Sequence, residues 1–272
     1  MSAMDAVATR QAIETVTARW RAAGWQLLRE EPMTPALNVA LDDVLTRQVG
    51  AGERPPTLRF WAWASRAVII GRFQSVRNEV DLDAAAEMGV TVVRRISGGG
   101  AMFVEPEKSI TYSLYLPEAY VDGLSFTQSY EALDSWVVAG LRDLGVDAWY
   151  APLNDITSAE GKIGGAAQAR RGRAVLHHTT IAYEMSPDEM VRVLRIGQEK
   201  LSDKGIPSAA KRVSPLRRQT ALSRDAIVAQ LIARFRDEFG LADGQLTPDE
   251  RAAGARLVYE QFATEQWTHD IP

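Results

Sequence analysis

The sequence contains no cysteine, and that one absence removes disulfides, thiolate metal ligands and thiol nucleophiles together. Histidine is scarce too: there are three, two of them adjacent at His177 and His178, so a zinc centre of His and Cys ligands is not expected. No apolar run approaches the roughly 20 residues that cross a bilayer. Met1 to Arg21 carries Asp5 and Glu14 among short apolar stretches, and the expectation is a cytoplasmic chain with no membrane anchor. Positive charge is not in excess either. A net charge of -4 and a pI near 5.6 lack the cationic field that general nucleic-acid binding needs to displace counterions.

Repeats, low-complexity tracts and linkers are also missing, the 20 glycines and 12 prolines being dispersed. Residues 1–272 therefore read as one domain with a helical part from about 186 onward. What is present is an ordinary globular composition, 46% hydrophobic and 24% charged, enough for a sizeable core.

Periodicity predicts helices over Arg10 to Ala22 and Pro35 to Gly50, the second with Thr34 as N-cap and Gly50 as stop. Thr57 to Trp63, Ala67 to Gly71 and Val90 to Arg95 read as strands, with a helix over Asp81 to Met88. Ser109 to Leu116 alternates hydroxyl and apolar residues, as a half-buried strand does. Tyr130 to Leu144 has helical spacing, and Lys162 to Tyr183 predicts a hairpin turning at Arg170-Arg171-Gly172-Arg173. Ser186-Pro187-Asp188-Glu189 and Thr247-Pro248-Asp249-Glu250 have the form of capping boxes, and Ser223 to Phe239 and Thr247 to Phe262 read as helices. The fold class expected is α+β, with mixed, largely antiparallel sheets packed with helices.

Three constellations carry chemistry. In Arg94-Arg95-Ile96-Ser97-Gly98-Gly99-Gly100-Ala101, three glycines let backbone amides approach a ligand, and Arg95 offers a fork for carboxylate or phosphate. A flexible turn with solvated arginines is the commoner reading of a glycine run alone. In Asn154-Asp155 followed by Gly161 to Gln168, Lys162 could stabilise charge on an activated carboxylate and Asp155 could help hold magnesium; a surface lysine in a turn is the plain alternative. In His177-His178-Thr179-Thr180, strand alternation allows only one histidine to face the pocket. A half-buried histidine satisfied by backbone carbonyls is the plain reading, and no carboxylate partner in the sequence argues for a Ser-His-Asp arrangement.

In this order, together with Asn38-Val39-Ala40-Leu41-Asp42, Leu58-Arg59-Phe60-Trp61 and Ile70-Gly71-Arg72-Phe73-Gln74, these segments resemble lipoate-protein ligases and their octanoyltransferase relatives. The resemblance implies the biotinyl/lipoyl-transferase fold, akin to class II synthetases. It implies ATP- and Mg2+-dependent activation of lipoate to lipoyl-AMP, then transfer to a lysine of a lipoyl-domain or lipoate-carrier acceptor. Lys162 becomes the catalytic lysine; Gly71, Gln74, Arg95, Ser97, Gly98, Gly99, Gly100, Ala101 and His178 border the acid. Asn154, Asp155, Gly164, Gly165, Ala166 and Thr180 lie near the nucleotide, with Asp155 toward the metal. Trp61, Ile70, Val93 or Phe103 are expected in the tunnel wall. Lys200 to Ile206 and Arg212-Val213 resemble a closing segment.

The octanoyltransferase and amidotransferase branches need a cysteine to hold the acyl group as a thioester, and with none in the sequence the adenylate route is preferred. Departures from the family pattern are Val104-Glu105-Pro106-Glu107-Lys108 where a His-Asp pair is common, Gly164 and Ala166 in place of serines, and Thr179 in place of glycine. The resemblance runs out near Phe262 to Trp267, so the small accessory domain is expected to be missing or supplied as a separate subunit. A lipoyl-AMP-dependent transferase, an enzyme for octanoate or biotin, and a noncatalytic lipoate or lipoyl-adenylate binder remain alternatives. The basic groups Arg170-Arg171-Arg173 and Lys211-Arg212-Arg217-Arg218 are either solvated faces or a means of steering an acidic carrier.

Overall fold

The computed structural model describes residues 3–195 and 213–271; Lys200 to Ile206, Lys211 and Arg212 lie outside them. In chain order the elements are α1 (Ala3–Trp20), β1 (Gln26–Arg29), α2 (Pro35–Ala51), β2 (Thr57–Trp61), β3 (Ala67–Ile70), α3 (Val76–Glu79) and α4 (Leu82–Glu87). Then come β4 (Thr91–Arg94), β5 (Met102–Val104), β6 (Ser109–Pro117), α5 (Phe126–Asp143), β7 (Trp149–Ala151) and β8 (Asp155–Ser158). The chain continues through β9 (Gly161–Arg171), β10 (Ala174–Ala182), α6 (Pro187–Val193), α7 (Arg224–Phe239), β11 (Ala242–Asp243), α8 (Pro248–Leu257) and α9 (Glu265–Thr268).

The larger sheet has the order β11-β1-β2-β6-β10-β9-β8-β7. Its first two junctions are parallel and the rest antiparallel. A smaller sheet has the order β4-β3-β5, parallel then antiparallel. The α+β expectation holds.

The hydroxyl/apolar alternation in β6 proves to separate two buried faces rather than core from solvent. Ile110, Tyr112, Leu114 and Leu116 join the aromatic core built with α1, α5 and α7. Ser109, Thr111, Ser113 and Tyr115 are equally buried on the other side, where Tyr115 packs with Leu41, Leu45 and Leu176. The half-buried expectation fails because helices cover both faces of this central strand, α2 on one and α5 on the other.

Caps fix the helix starts. Thr34 accepts from the Leu37 amide, and Thr247 and Glu250 complete a reciprocal capping box. The predicted box at Ser186 is half formed. Its hydroxyl accepts from the Glu189 amide, but the Ser186 N–H is 3.5 Å from Glu105, while Glu189 turns to Arg66.

Gly50 does not stop α2, which runs to Ala51 and is capped by Gly52 in the left-handed region. Gly50 is needed for proximity instead: a Cβ there would lie 2.0 Å from the carbonyl oxygen of Gly172 in the β9–β10 turn. Gly50→Ala is therefore expected to destabilise the fold by about 1–3 kcal/mol through overpacking. Thermal unfolding checks this, and an unchanged Tm would refute it.

The smaller sheet is covered on both sides. Ile69, Val93 and Val104 face Trp61, Trp63 and Phe262, while Val68, Ile70 and Phe103 face Met190, Val193 and Leu194. Among the described residues no helix is long and apolar enough to cross a membrane.

Candidate active site

The turn after β4 and the β8–β9 hairpin approach each other over the face of β10 that carries even-numbered residues. Arg95, Gly100, Ala101, Met102 and Phe103 form one wall of a cavity of about 380 Å³. Asn154, Asp155, Lys162, Gly164, Gly165 and Ala166 form the facing wall, with His178, Thr180 and Ala182 as the floor. Met185, Met190, Leu194 and Val213 add apolar lining. Of the tunnel residues expected from sequence, Phe103 alone lines this space; Trp61, Ile70 and Val93 pack within the hydrophobic clusters around the smaller sheet without reaching it.

Lys162 and Gly100, the last glycine of the run, thus line the same cavity. The Lys162 ammonium is 2.6 Å from Asp155 Oδ1 and passes over Gly165, where a Cβ would lie 3.0 Å from Nζ. A side chain at 165 would crowd the ammonium. Asn154 donates to the Ala166 carbonyl at 2.6 Å and accepts from the Ala166 amide at 2.9 Å through its own carbonyl, which fixes Asp155 beside β9.

Ser97, Gly98, Gly99, Gly71 and Gln74 stand behind the first wall. Gly71 presses against the turn so closely that a Cβ would lie 2.1 Å from the Gly99 carbonyl oxygen. The Gly71 amide is held by Gln74 Oε1 at 2.8 Å. Arg95 lines the cavity, yet most of its donors turn inward. Nε bonds Ser97 Oγ at 2.9 Å, Nη2 bonds the carbonyls of Gly98 and Gly100 at 2.6 and 2.8 Å, and Nη1 bonds that of Ile69 at 2.9 Å. Burial lowers its pKa to about 10. The fork expected to face an anion is spent mainly on shaping the loop, an interaction invisible in a linear sequence.

Strand alternation sends the two histidines to opposite faces, as expected. His178 lines the cavity; His177 is fully buried beneath α5. His178 does have a carboxylate partner, contrary to the sequence reading. Its Nδ1 is 2.8 Å from Asp42 Oδ2, and its Nε2 is 2.6 Å from Ser97 Oγ. Asp42 Oδ1 accepts from Ser113 at 3.0 Å and Tyr115 at 2.5 Å.

The connectivity is that of a Ser-His-Asp triad, but Ser97 is fully buried, lies outside the cavity lining and accepts from Arg95. We read Asp42, His178, Ser97 and Arg95 as a strut that stiffens the triglycine turn. Asp42 sits 136 residues from His178, a separation no local motif reveals.

His177 has its own carboxylate. Asp134 Oδ1 accepts from His177 Nε2 at 2.8 Å, Tyr112 at 2.5 Å and Thr179 at 2.8 Å. Gln168 Nε2 sits 3.1 Å from the remaining His177 nitrogen. This second cluster anchors α5 rather than facing the cavity.

Glu105 is buried and pairs with Lys108 at 2.9 Å and Arg66 at 3.4 Å. Arg170 and Arg171 are engaged by Glu118 and Asp43.

Burial, outweighing the pull of Asp42, lowers the pKa of His178 below the usual 6.5. A folded pKa below the unfolded one means the unfolded chain binds the proton first. Stability is therefore full above about 6.5 and is lost as pH falls from there through the folded pKa, with a slope of at most about 1.4 kcal/mol per pH unit from this group. Urea unfolding across pH 4–7 is expected to show a shallower slope in His178→Gln; an identical slope would assign the loss to other groups.

The lipoyl protein ligase A/B catalytic domain family matches residues 34–240. An octanoyltransferase LipM from an Exiguobacterium species is 30% identical and is aligned over 89% of this chain and 97% of its own. The bi-partite lipoate protein ligase of Thermoplasma acidophilum, described together with its E2 lipoyl domain, superposes with a TM-score of 0.79 at 31% identity, over 92% of this chain and 97% of that one. A lipoate-protein ligase A bound with ATP gives a TM-score of 0.78 at 28% identity, over 92% and 99%. A family match spanning most of the chain, with the cavity where its motifs converge, leads to one conclusion: this chain belongs to the lipoyl protein ligase A/B catalytic domain family.

Proposed function

We propose that this chain activates lipoate with ATP to lipoyl-adenylate and transfers the lipoyl group to a lysine of an acceptor protein. The observation that carries the reading is that Lys162 shares one cavity with Arg95 and Gly100 of the glycine-rich motif, in a chain without a cysteine to hold a thioester.

In the first step a lipoate oxygen attacks the α-phosphate, the bond to pyrophosphate breaks, and pyrophosphate leaves with the electron pair. The Lys162 ammonium exchanges Asp155 for the carboxylate and α-phosphate, opposing negative charge that gathers between them. In the second step the acceptor amine attacks the acyl carbonyl, AMP leaves, and the amine sheds a proton. The mixed anhydride is reactive, so the protein's main tasks are alignment and exclusion of water. The triglycine turn, stiffened by Asp42, His178 and Arg95, supplies the alignment.

Among the described residues no group of three metal-ligating side chains gathers. Asp155 as a lone carboxylate fits a magnesium ion that is otherwise held by nucleotide phosphates and water, where the ion would offset phosphate charge.

The acceptor we expect is a lipoyl domain, by analogy with the Thermoplasma ligase described with its E2 lipoyl domain. That ligase is bi-partite, so a separate accessory subunit is part of the proposal. Likeness to an octanoyltransferase supports octanoate as a second acid on the same route.

The test is to incubate the chain with lipoate or octanoate, ATP, Mg2+ and a lipoyl domain, with and without an accessory subunit, and to weigh the acceptor. The expected result is a gain of one acyl group dependent on ATP. Acylation from synthetic lipoyl-AMP alone would reduce the activity to the transfer step, and binding without any acylation would make the chain a carrier. Acylation from an octanoyl thioester without ATP would overturn the adenylate route.

A further inference from the structure

The neighbour of Arg95 in the motif does something else entirely. Arg94 is fully buried, and its hydrogen bonds run to backbone carbonyls on two separate segments. Nη1 donates to Gly71, Arg72 and Gln74 at 3.1, 3.1 and 2.7 Å. Nε donates to Trp267 and Thr268 at 3.1 Å each, and Nη2 to Thr268 and Ile271 at 2.7 and 3.1 Å.

The connection is reciprocated. Trp267 Nε1 donates to the Arg94 carbonyl at 2.8 Å, the Val76 amide donates to Ile271 at 3.2 Å, and Arg72 pairs with Asp270 at 2.6 Å. The Arg72 guanidinium also lies 4.5 Å from the Trp267 ring centre.

The loop held this way is the one that supports the triglycine turn. The Arg72 amide donates to the Ser97 carbonyl at 2.8 Å, and Gly71 touches Gly99. A planar guanidinium reaches carbonyls on two sides because its five donors point outward along fixed directions; a lysine ammonium offers three donors from one atom and cannot span both.

We propose that Arg94 is a positioning residue: it ties segment 264–271 to the loop Gly71 to Gln74, and through that loop sets the triglycine turn that borders the cavity. The consequence for ligand binding rests on the lipoate reading above; the mechanical coupling does not.

The experiment uses the full chain with Arg94→Lys, Trp267→Ala and Trp267→Phe. Hydrogen exchange is followed without ligand, and lipoate binding by calorimetry. Both Arg94→Lys and Trp267→Ala are expected to speed exchange at 71–74 and 97–100 while the amides of β10 keep their protection. Each is expected to weaken lipoate binding about tenfold, within the usual range of couplings between sites. Trp267→Phe, which keeps a ring over Arg72, restores most of both.

Faster exchange confined to 264–271, with lipoate affinity unchanged, would overturn the proposal. Should Arg94→Lys lose protection throughout β10, Trp267→Ala decides alone. If the unaltered chain bound no lipoate, the functional reading would fall while the exchange data still judged the coupling.

Discussion

Replacing Lys162 by alanine is expected to lower the rate of acyl transfer by about a hundred- to a thousandfold, the usual cost of removing one preorganised charge-stabilising group. The loss should fall on kcat more than on KM for lipoate, because the ammonium opposes charge that builds during reaction. It comes from the β9 edge of the cavity, where its partner is Asp155 at 2.6 Å. Lys162→Arg is not a conservative repair. A guanidinium is wider than an ammonium, and the space beside Gly165 is narrow enough that even a Cβ there would stand 3.0 Å from Nζ. The measurement is single-turnover formation of lipoyl-AMP and of acylated acceptor. Activity within threefold of the unaltered chain would remove Lys162 from the mechanism.

Asp134→Ala carries the largest expected effect on stability, about 3–5 kcal/mol, because several buried donors lose their common acceptor at about 1–3 kcal/mol each. The carboxylate is fully buried, and its Oδ1 is the shared acceptor for His177, Tyr112 and Thr179. Without it three buried donors lose their shared acceptor, and only the 3.1 Å contact between Thr179 Oγ1 and His177 Nε2 remains among them, a cost that burial keeps water from offsetting. Asp134→Asn keeps one oxygen and is expected to lose less. Urea unfolding of the two variants measures the difference, and a loss below about 1 kcal/mol for alanine would mean water or repacking satisfies the three donors. The cluster lies beneath α5, away from the cavity, so lipoate affinity should change little in whatever fraction remains folded.

The local grammar of the chain was readable. The caps at Thr34 and Thr247, the β9–β10 hairpin and the α+β mixture all follow from short-range chemistry. So does the division of His177 and His178 between two faces, since a strand's period of two needs no knowledge of what lies on either side.

Partners distant in sequence were not readable. Asp42 meets His178 across 136 positions, and Asp134 meets His177 across 43; nothing within a motif's length distinguishes these carboxylates from solvated ones. Gly50 misled because a glycine near a helix end has two physical uses, a left-handed cap or a close approach, and only the position of Gly172 decides between them. Arg95 misled differently: its donors were expected to face an anion, whereas three backbone carbonyls of its own neighbourhood take most of them.

The larger sheet ends in its shortest strands, β11 with two residues and β7 with three. Each rim therefore presents only a few unpaired backbone groups, and Asp243 on the first of them is exposed and charged. Long flat rims invite strand addition by a neighbouring molecule, the route to amyloid-like stacking. Here that invitation is brief on both sides, so crowding should cost this protein little through sheet-to-sheet aggregation.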